Sequence, residues 1–328
     1  MVSDAAKPRK NPANQKAVSS ISSSAGGNRE LFAATEEATD RIAIENQVAE
    51  TESSSKIHLG THPGIHLGTS AFTAAGWEGA FYPAGMQPRD FLTYYATKFD
   101  TVEVDSTFYR TPSAGTVRGW YAKTPKNFIF SLKVPQEITH EKCLQDCDAA
   151  CKEFLAAADI LREKLGPILF QFGYFNKSAF ASVDAFLARL LPFLDKLPKD
   201  HKFAVEIRNK HWLVPKFADA LRERRIALAL IDQAWMPRPA EWFARFDPIT
   251  ADFAYIRWLG DRKGIEKITK SWDKTIVDRR RELSEWARLC VPIVRRGVVI
   301  FAYANNHYAG HGPATVAQFL DIWNQINS

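Results

Sequence analysis

Short runs of β-branched and aromatic residues alternate, eight times over, with longer stretches of helical period, and this alternation limits the fold more than any other feature. The runs fall at 65–69, 101–105, 128–133, 167–172, 203–207, 226–231, 253–258 and 298–303. Helical periods lie near 89–98, 114–122, 144–164, 180–194, 214–224, 236–245, 273–290 and 313–326. Such alternation predicts a parallel sheet whose strands are joined by crossover helices. Eight units in about 265 residues match a single α/β domain of the TIM-like (β/α)8 barrel type, which typically takes about 250. A doubly wound open sheet is the alternative. It normally carries a glycine-rich turn after an early strand, and no GxGxxG occurs.

Ahead of this pattern lies a different kind of sequence. Residues 1–63 hold Ser22-Ser23-Ser24, Gly26-Gly27 and Ser53-Ser54-Ser55 with few aromatics, too little apolar surface to offset the entropy of ordering. They are expected to be a disordered, low-complexity tail, with the barrel domain at 64–328. Ile57-His58-Leu59-Gly60-Thr61 recurs as Ile65-His66-Leu67-Gly68-Thr69, and the second copy is the one expected to fold.

Composition narrows the class. Gly and Pro number 17 each and Cys only 4, which excludes collagen-like and disulfide-scaffold chains. No apolar run approaches the roughly 18 residues of a membrane helix, and the first 30 residues lack the apolar segment of a secretory signal. A protein of a reducing compartment, cytoplasmic and without a membrane partner, is the expectation. Net charge is +6, and since the first 56 residues hold 7 basic and 8 acidic side chains, the remainder carries +7. A basic body favours anionic partners. Its clusters at Arg279-Arg280-Arg281, Arg222 with Arg224-Arg225, and Arg295-Arg296 fall in helical stretches and read first as solvated helix faces.

In a barrel of this type the C-terminal strand ends build the active site, and residues two apart share a face. Strand 101–105 then places Glu103 with Asp105, strand 128–133 places Ser131 with Lys133, and strand 203–207 leads from Glu206 to Arg208. Strand 253–258 places Tyr255 with Arg257. The last strand leads to Asn305, Asn306 and His307, and strand 226–231 runs into Asp232. Unpaired buried charges cost several kcal/mol, so this set must neutralise itself or a ligand. A polar plug that merely closes the barrel is the plain reading; its position at the catalytic end favours function.

Other features are less specific. Cys143, Cys147 and Cys151 are spaced for one helix stripe and read as small buried side chains rather than metal ligands. His140, His211, His307 and His311 lie in loops at the same end, and of these His307 is favoured as an acid or base. The loop Gly76-Trp77-Glu78-Gly79-Ala80-Phe81-Tyr82-Pro83 suits either ring stacking or a hydrophobic lid. GxSxG, P-loop and HExxH patterns do not occur.

From Gly64 to the C-terminus the chain resembles the YecE-like family, domain of unknown function 72. The resemblance rests on Gly68-Thr69-Ser70, Gly76-Trp77, Phe81-Tyr82-Pro83, the run Thr101 to Tyr109, Pro112, Phe130, Lys133, Pro135 and Thr139-His140. It continues through Leu165-Gly166-Pro167, Phe170-Gln171, Phe203 to Arg208 with Trp212, Asp252 to Arg257 and Asn305 to His311. The resemblance implies a TIM-barrel-like fold and carries no reaction. Its polar positions coincide with Glu103, Lys133, Glu206, Arg208, Arg257, Asn305, Asn306 and His307. Three departures stand out: Asp105 replaces the usual Asn, Gly173-Tyr174-Phe175 the usual Leu-Pro-Pro, and Leu259 the usual His before Gly260.

The functional expectation is an enzyme acting on a small anionic metabolite, phosphorylated or carboxylated. Glu103 or Glu206 would be its base and His307 its acid, with Lys133, Arg208 and Arg257 holding the anion. Asn305 and Asn306 would orient the ligand, and Tyr109 and Trp77 complete the binding set. No cofactor and no oligomeric state are readable. The alternatives are a divalent-metal hydrolase or isomerase using Glu103, Asp105, Glu206, Asp232 and a histidine, and a non-catalytic binder of a ligand or of nucleic acid.

Overall fold

A computed structural model describes residues 61–327, so nearly all of the expected tail lies outside the described residues. Ten strands run in order: β1 (Thr61–His62), β2 (Ile65–Thr69), β3 (Thr101–Val104), β4 (Ile129–Lys133), β5 (Leu165–Gln171), β6 (Phe203–Glu206), β7 (Ala227–Leu228), β8 (Leu230–Gln233), β9 (Phe253–Gly260) and β10 (Val299–Ala304). They form two five-stranded sheets, β1-β2-β10-β9-β8 and β3-β4-β5-β6-β7. Every pairing is parallel except the β1–β2 hairpin.

The chain is therefore a mixed α/β protein with parallel sheets. The expected closed barrel is corrected to this extent: the strand hydrogen bonds make two sheets rather than one ring. The reason is visible at the strand expected over 226–231. There the chain passes from one sheet to the other at Ala229, whose N–H still donates to Val205 O at 2.9 Å, while Leu230 already pairs with β9. At the opposite edge β2 lies beside β3. A Cβ on Gly68 would stand 2.3 Å from the Thr101 carbonyl oxygen, so only glycine allows this approach.

Helices follow the strands: α1 (Phe91–Tyr95), α2 (Ala114–Ala122), α3 (Asp148–Ala158), α4 (Val183–Asp195), α5 (Pro215–Arg222), α6 (Pro239–Arg245), α7 (Arg262–Ile265), α8 (Arg280–Arg295), α9 (Asn306–Ala309) and α10 (Gly312–Asn327). Ser113 and Ser182 cap α2 and α4, accepting from Thr116 N and Ala185 N. Two of the predicted helices differ most from expectation. The one near 144–164 is a regular helix only over α3 and ends in a 3-10 stretch broken at Arg162 (φ 50°). The one near 273–290 begins at Arg280 and runs on through Pro292 to Arg295.

Strand side chains point two ways. Those facing the helices join a large core that includes Trp258, Trp286, Phe319 and the aromatic loop around Trp77. Those facing inward form a second core between the sheets, from Leu169, Ala204, Ala227, Ala229, Phe253, Tyr255, Phe301 and Tyr303. Tyr303 of one sheet bonds Thr101 Oγ1 (2.8 Å) and Ser131 Oγ (2.7 Å) of the other.

Gly260 ends β9 with φ +68°, and a Cβ there would lie 2.5 Å from His307 O and 2.6 Å from Tyr308 Cα. Gly85 has a similar φ of +78° with nothing within 4 Å. Gly85→Ala should cost about 1 kcal/mol for its backbone angle alone, whereas Gly260→Ala should cost about 3 kcal/mol or more. Urea denaturation of both variants checks this; equal losses would mean that the contact with α9 does not matter.

Candidate functional site

Above the inner core, the interior fills with charge. Glu103 on β3, Glu206 on β6 and Arg257 on β9 are each at most 2% exposed. Arg257 donates from Nε (3.0 Å) and Nη2 (2.7 Å) to Glu103 Oε1, from Nη1 to Glu206 Oε2 (2.8 Å), and from Nη2 to Asp105 Oδ1 (3.0 Å). Tyr255 donates its hydroxyl to Glu103 Oε2 at 2.6 Å. Arg208 bonds Glu206 Oε1 through Nε and Nη2, and Gln233 Oε1 through Nη1. One guanidinium thus joins three carboxylates, and a second closes the chain.

These contacts set the charge states. Burial raises the pKa of Glu103, opposed by Arg257. Burial also works against the charge on Glu206, yet Arg208, Arg257 and Lys133 hold its carboxyl down at about 2. Glu206 is thus a fixed anion and a poor proton acceptor. Glu103 is enclosed, and Arg257 spends most of its donors on protein carboxylates. The three side chains expected to act as base and anion grip are thus bonded chiefly to one another.

Lys133 is different. Its Nζ lies 3.7 Å from Asp105 Oδ1 and 4.0 Å from the centre of the Phe108 ring, and it makes no hydrogen bond among the described residues. Burial lowers its pKa, with Asp105 opposing and Arg257 adding to the effect. His140 comes to the same place from a π-helical turn, Glu137–Glu141, its ring 4.9 Å from Phe108. Burial lowers its pKa, and Lys133 and Arg208 lower it further, so the imidazole is neutral at pH 7. The turn runs into Cys143 (φ 45°), Leu144 (φ 67°) and Asp146 (φ 46°), a strained backbone beside the charge cluster.

The remaining predicted residues separate into two groups. His307 and Asn305 stay near the rim: His307 Nδ1 contacts Asn305 Oδ1 (2.5 Å) and Nε2 contacts Glu266 Oε1 (2.9 Å). Burial lowers the His307 pKa against the pull of Glu266. Tyr109 is 71% exposed, next to Phe108. Trp77 and Asn306 belong to the scaffold. Trp77 is 1% exposed among Phe81, Tyr82 and His311, and its Nε1 donates to Asn306 Oδ1 (3.2 Å), which also accepts from Gly312 N (2.8 Å). A ring so enclosed offers no face to a ligand.

Asp232 is corrected outright. It faces the helices, accepting from Arg238 Nη1 (2.8 and 3.0 Å), Trp286 Nε1 (2.9 Å) and Tyr308 OH (2.9 Å). Gln233 takes the inward place. The signal was in the sequence: Ala227, Ala229 and Ile231 alternate toward 233, not 232. Of the three cysteines expected on one helix stripe only Cys151 lies in a helix, α3; Cys147 precedes it. Both are in the core, and the Cys151 thiol is pushed up to about 11 by burial, whereas Cys143 is half-buried in the turn before, its Sγ donating to His140 O (3.2 Å). Several clustered arginines are held in local pairs, among them Arg222–Asp219, Arg224–Asp195 and Arg296–Asp247. Among the described residues, no helix is long and apolar enough to cross a membrane.

Glu206→Gln leaves Arg208 and Arg257 short of an anion and should lower stability at neutral pH by roughly 3–5 kcal/mol. The carboxylate's contribution is complete above the ordinary pKa and is lost as pH falls through its depressed one. In urea titrations the gap to the parent protein should therefore narrow between about pH 5 and about pH 2. A gap that does not change with pH would mean that Glu206 is uncharged in the folded protein.

Residues 66–328 match the family described as "Protein of unknown function DUF72". The UPF0759 protein YecE of Escherichia coli K12 is 32% identical over 118 residues, which are 36% of this chain and 41% of that protein. The UPF0759 protein YunF of Bacillus subtilis strain 168 is 29% identical over 159 residues, 47% of this chain and 54% of that protein. The chain thus spans between about two fifths and about half the length of these curated relatives. In fold it is similar to the crystal structure of a DUF72 family protein from Thermotoga maritima, with a TM-score of 0.61 at 24% identity, covering 80% of this chain and 99% of that one. A second, from Enterococcus faecalis, gives 0.59 at 21% identity over 79% and 95%. With its match running through nearly all of the described residues, the chain belongs to the DUF72 family, the YecE-like proteins.

Proposed function

We propose that this chain is an enzyme acting on a small anionic metabolite, phosphorylated or carboxylated, at the ends of strands β3, β4, β6 and β9. The two sheets are then the halves of a TIM-like barrel whose C-terminal rim carries the site. The domain begins near residue 64, with the low-complexity stretch before it serving as a tail.

The observation that carries this reading is Lys133. Its side chain is only 11% exposed and Nζ has no hydrogen-bond acceptor among the described residues, so the ammonium is held at a cost to the fold. Its neighbours offset that cost only in part, because Glu103 and Glu206 are bonded by arginines and Asp105 by Arg257. An incoming anion would offset the rest. Lys133 and the outward edge of Arg208 hold the anionic group in this reading, with Asn305 and Tyr109 on the rim and His140 or His307 exchanging protons. Arg257, Glu103 and Glu206 fix the geometry from below. The divalent-metal alternative draws less support, since three of its carboxylates converge on Arg257 and Asp232 faces the other way.

Lys133→Met tests this directly. Removing a poorly compensated charge should raise the thermal midpoint of the protein, as destabilising residues at functional sites do. The same change should weaken binding of phosphate or of a phosphorylated metabolite, measured by calorimetry, by about tenfold or more. A panel of phosphates and carboxylates that leaves the parent protein unmoved, or binds the variant equally well, would sink the proposal.

A further inference from the structure

Lys133 is poorly placed for an ammonium whose only task is to hold an anion. The one carboxylate within 4 Å of it among the described residues, Asp105, is shared, since Asp105 Oδ1 is bonded by Arg257 Nη2 at 3.0 Å and stands 3.7 Å from Lys133 Nζ. On another side Nζ meets the face of Phe108. Nζ makes no hydrogen bond among the described residues, so once deprotonated its lone pair is free to attack, and Asp105 beside it can take the proton, whereas the Phe108 face favours the ammonium. Burial, the largest effect, and Arg257 lower the Lys133 pKa, with Asp105, Glu206 and Glu103 opposing.

We propose that Lys133 is a catalytic nucleophile that condenses with a small aldehyde or ketone carrying a carboxylate or phosphate, forming an imine. The inference rests on the anionic-metabolite reading of this site and names the class of substrate. Asp105 is placed to carry the proton: its side chain is 30% exposed and its Oδ1 faces Nζ. The ammonium gives one proton to the Asp105 carboxylate. The neutral amine then attacks the carbonyl carbon, and the C=O π pair moves to oxygen, which takes a proton from the nitrogen. Asp105 returns its proton to the resulting hydroxyl, which leaves as water while the nitrogen lone pair closes the C=N bond. The sum is ammonium plus carbonyl giving protonated imine plus water, with no oxidation or reduction. Arg208, whose side chain is 13% exposed, is the cation left to hold the anionic group once Lys133 is spent on the bond.

The test is reductive trapping on the full chain. Pyruvate and dihydroxyacetone phosphate are incubated separately with the protein, sodium borohydride is added, and peptide masses locate the adduct. The expected result is a reduced adduct on Lys133 at least about tenfold above that on exposed lysines such as Lys126, Lys152 and Lys210. Lys133→Arg keeps the cation, and should keep phosphate binding while losing the adduct. Labelling that is spread evenly over exposed lysines, with phosphate binding intact, would overturn the nucleophile and leave the anion site standing. Absence of both trapping and phosphate binding would overturn the two together. Trace labelling with acetic anhydride supplies a reading that needs no substrate. Lys133 should react several-fold faster than those lysines at pH 7, and an equal or slower rate would overturn the proposal.

Discussion

Arg257 holds the two sheets together from within. It rises from β9 of one sheet and spends its donors on Glu103, Asp105 and Glu206, which belong to β3, the turn after it, and β6 of the other. Each contact near 3 Å is worth about 5 kcal/mol gross at an effective dielectric of roughly 20, and each buried ion costs several kcal/mol to dehydrate. The net gain is therefore small, but removal of any one partner strands the others. That asymmetry makes the cluster a device for geometry more than for stability. It sets which carboxylate oxygen points where, and it sets the distance between the sheets at the level of the rim.

Below the cluster the interior is uncharged and made for size. Ala204, Ala227 and Ala229 are small where Phe253, Phe301, Tyr255 and Tyr303 are large, so the two inner faces interlock without a channel. Tyr255 and Tyr303 then join the apolar layer to the polar one, each with a ring among apolar neighbours and a hydroxyl on the partners above. A site built on such a floor gains little freedom from loop motion, and its precision comes from strands.

Much of this was legible in the sequence because strand period and strand order are local properties. Glu103, Glu206 and Arg257 were placed inward by alternation alone, and the structure brings them into contact. Alternation fails where pairing slips. At Asp232 the register with β9 shifts, and reading outward from the strand's end rather than from Ala227 and Ala229 put the wrong residue inside. Closure was illegible for a related reason: the sequence shows a single run at 226–231, while the hydrogen bonds divide it at Ala229 between two neighbours. Trp77 shows another limit. An aromatic residue in a glycine-flanked loop looks like a ligand platform until the structure shows it packed with Phe81 and Tyr82 of the same loop, and Tyr94, Tyr95 and Phe99 closing around them. Which of six charges is left over after pairing is a property of distances, and no spacing rule reveals it.

That remainder is what gives the rim its chemical character. Three carboxylates, Glu103, Asp105 and Glu206, meet three cations, Lys133, Arg208 and Arg257, so the formal charges cancel, yet the hydrogen bonds do not divide evenly. The arginines, whose planar forks match carboxylates and whose charge cannot be shed, take the bonds. The lysine, the one cation of the three able to lose its proton, is left against Phe108. Exchanging the roles would put a permanent charge where no acceptor exists and a titratable one where the sheets need a fixed link. The strained turn that brings His140 beside the same ring fits this division, because a neutral imidazole costs less there than a second cation would. Five of the six charges are hydrogen-bonded to one another and the sixth is not, a division that the proposed enzyme reading accounts for and that a mere plug between two sheets would not need.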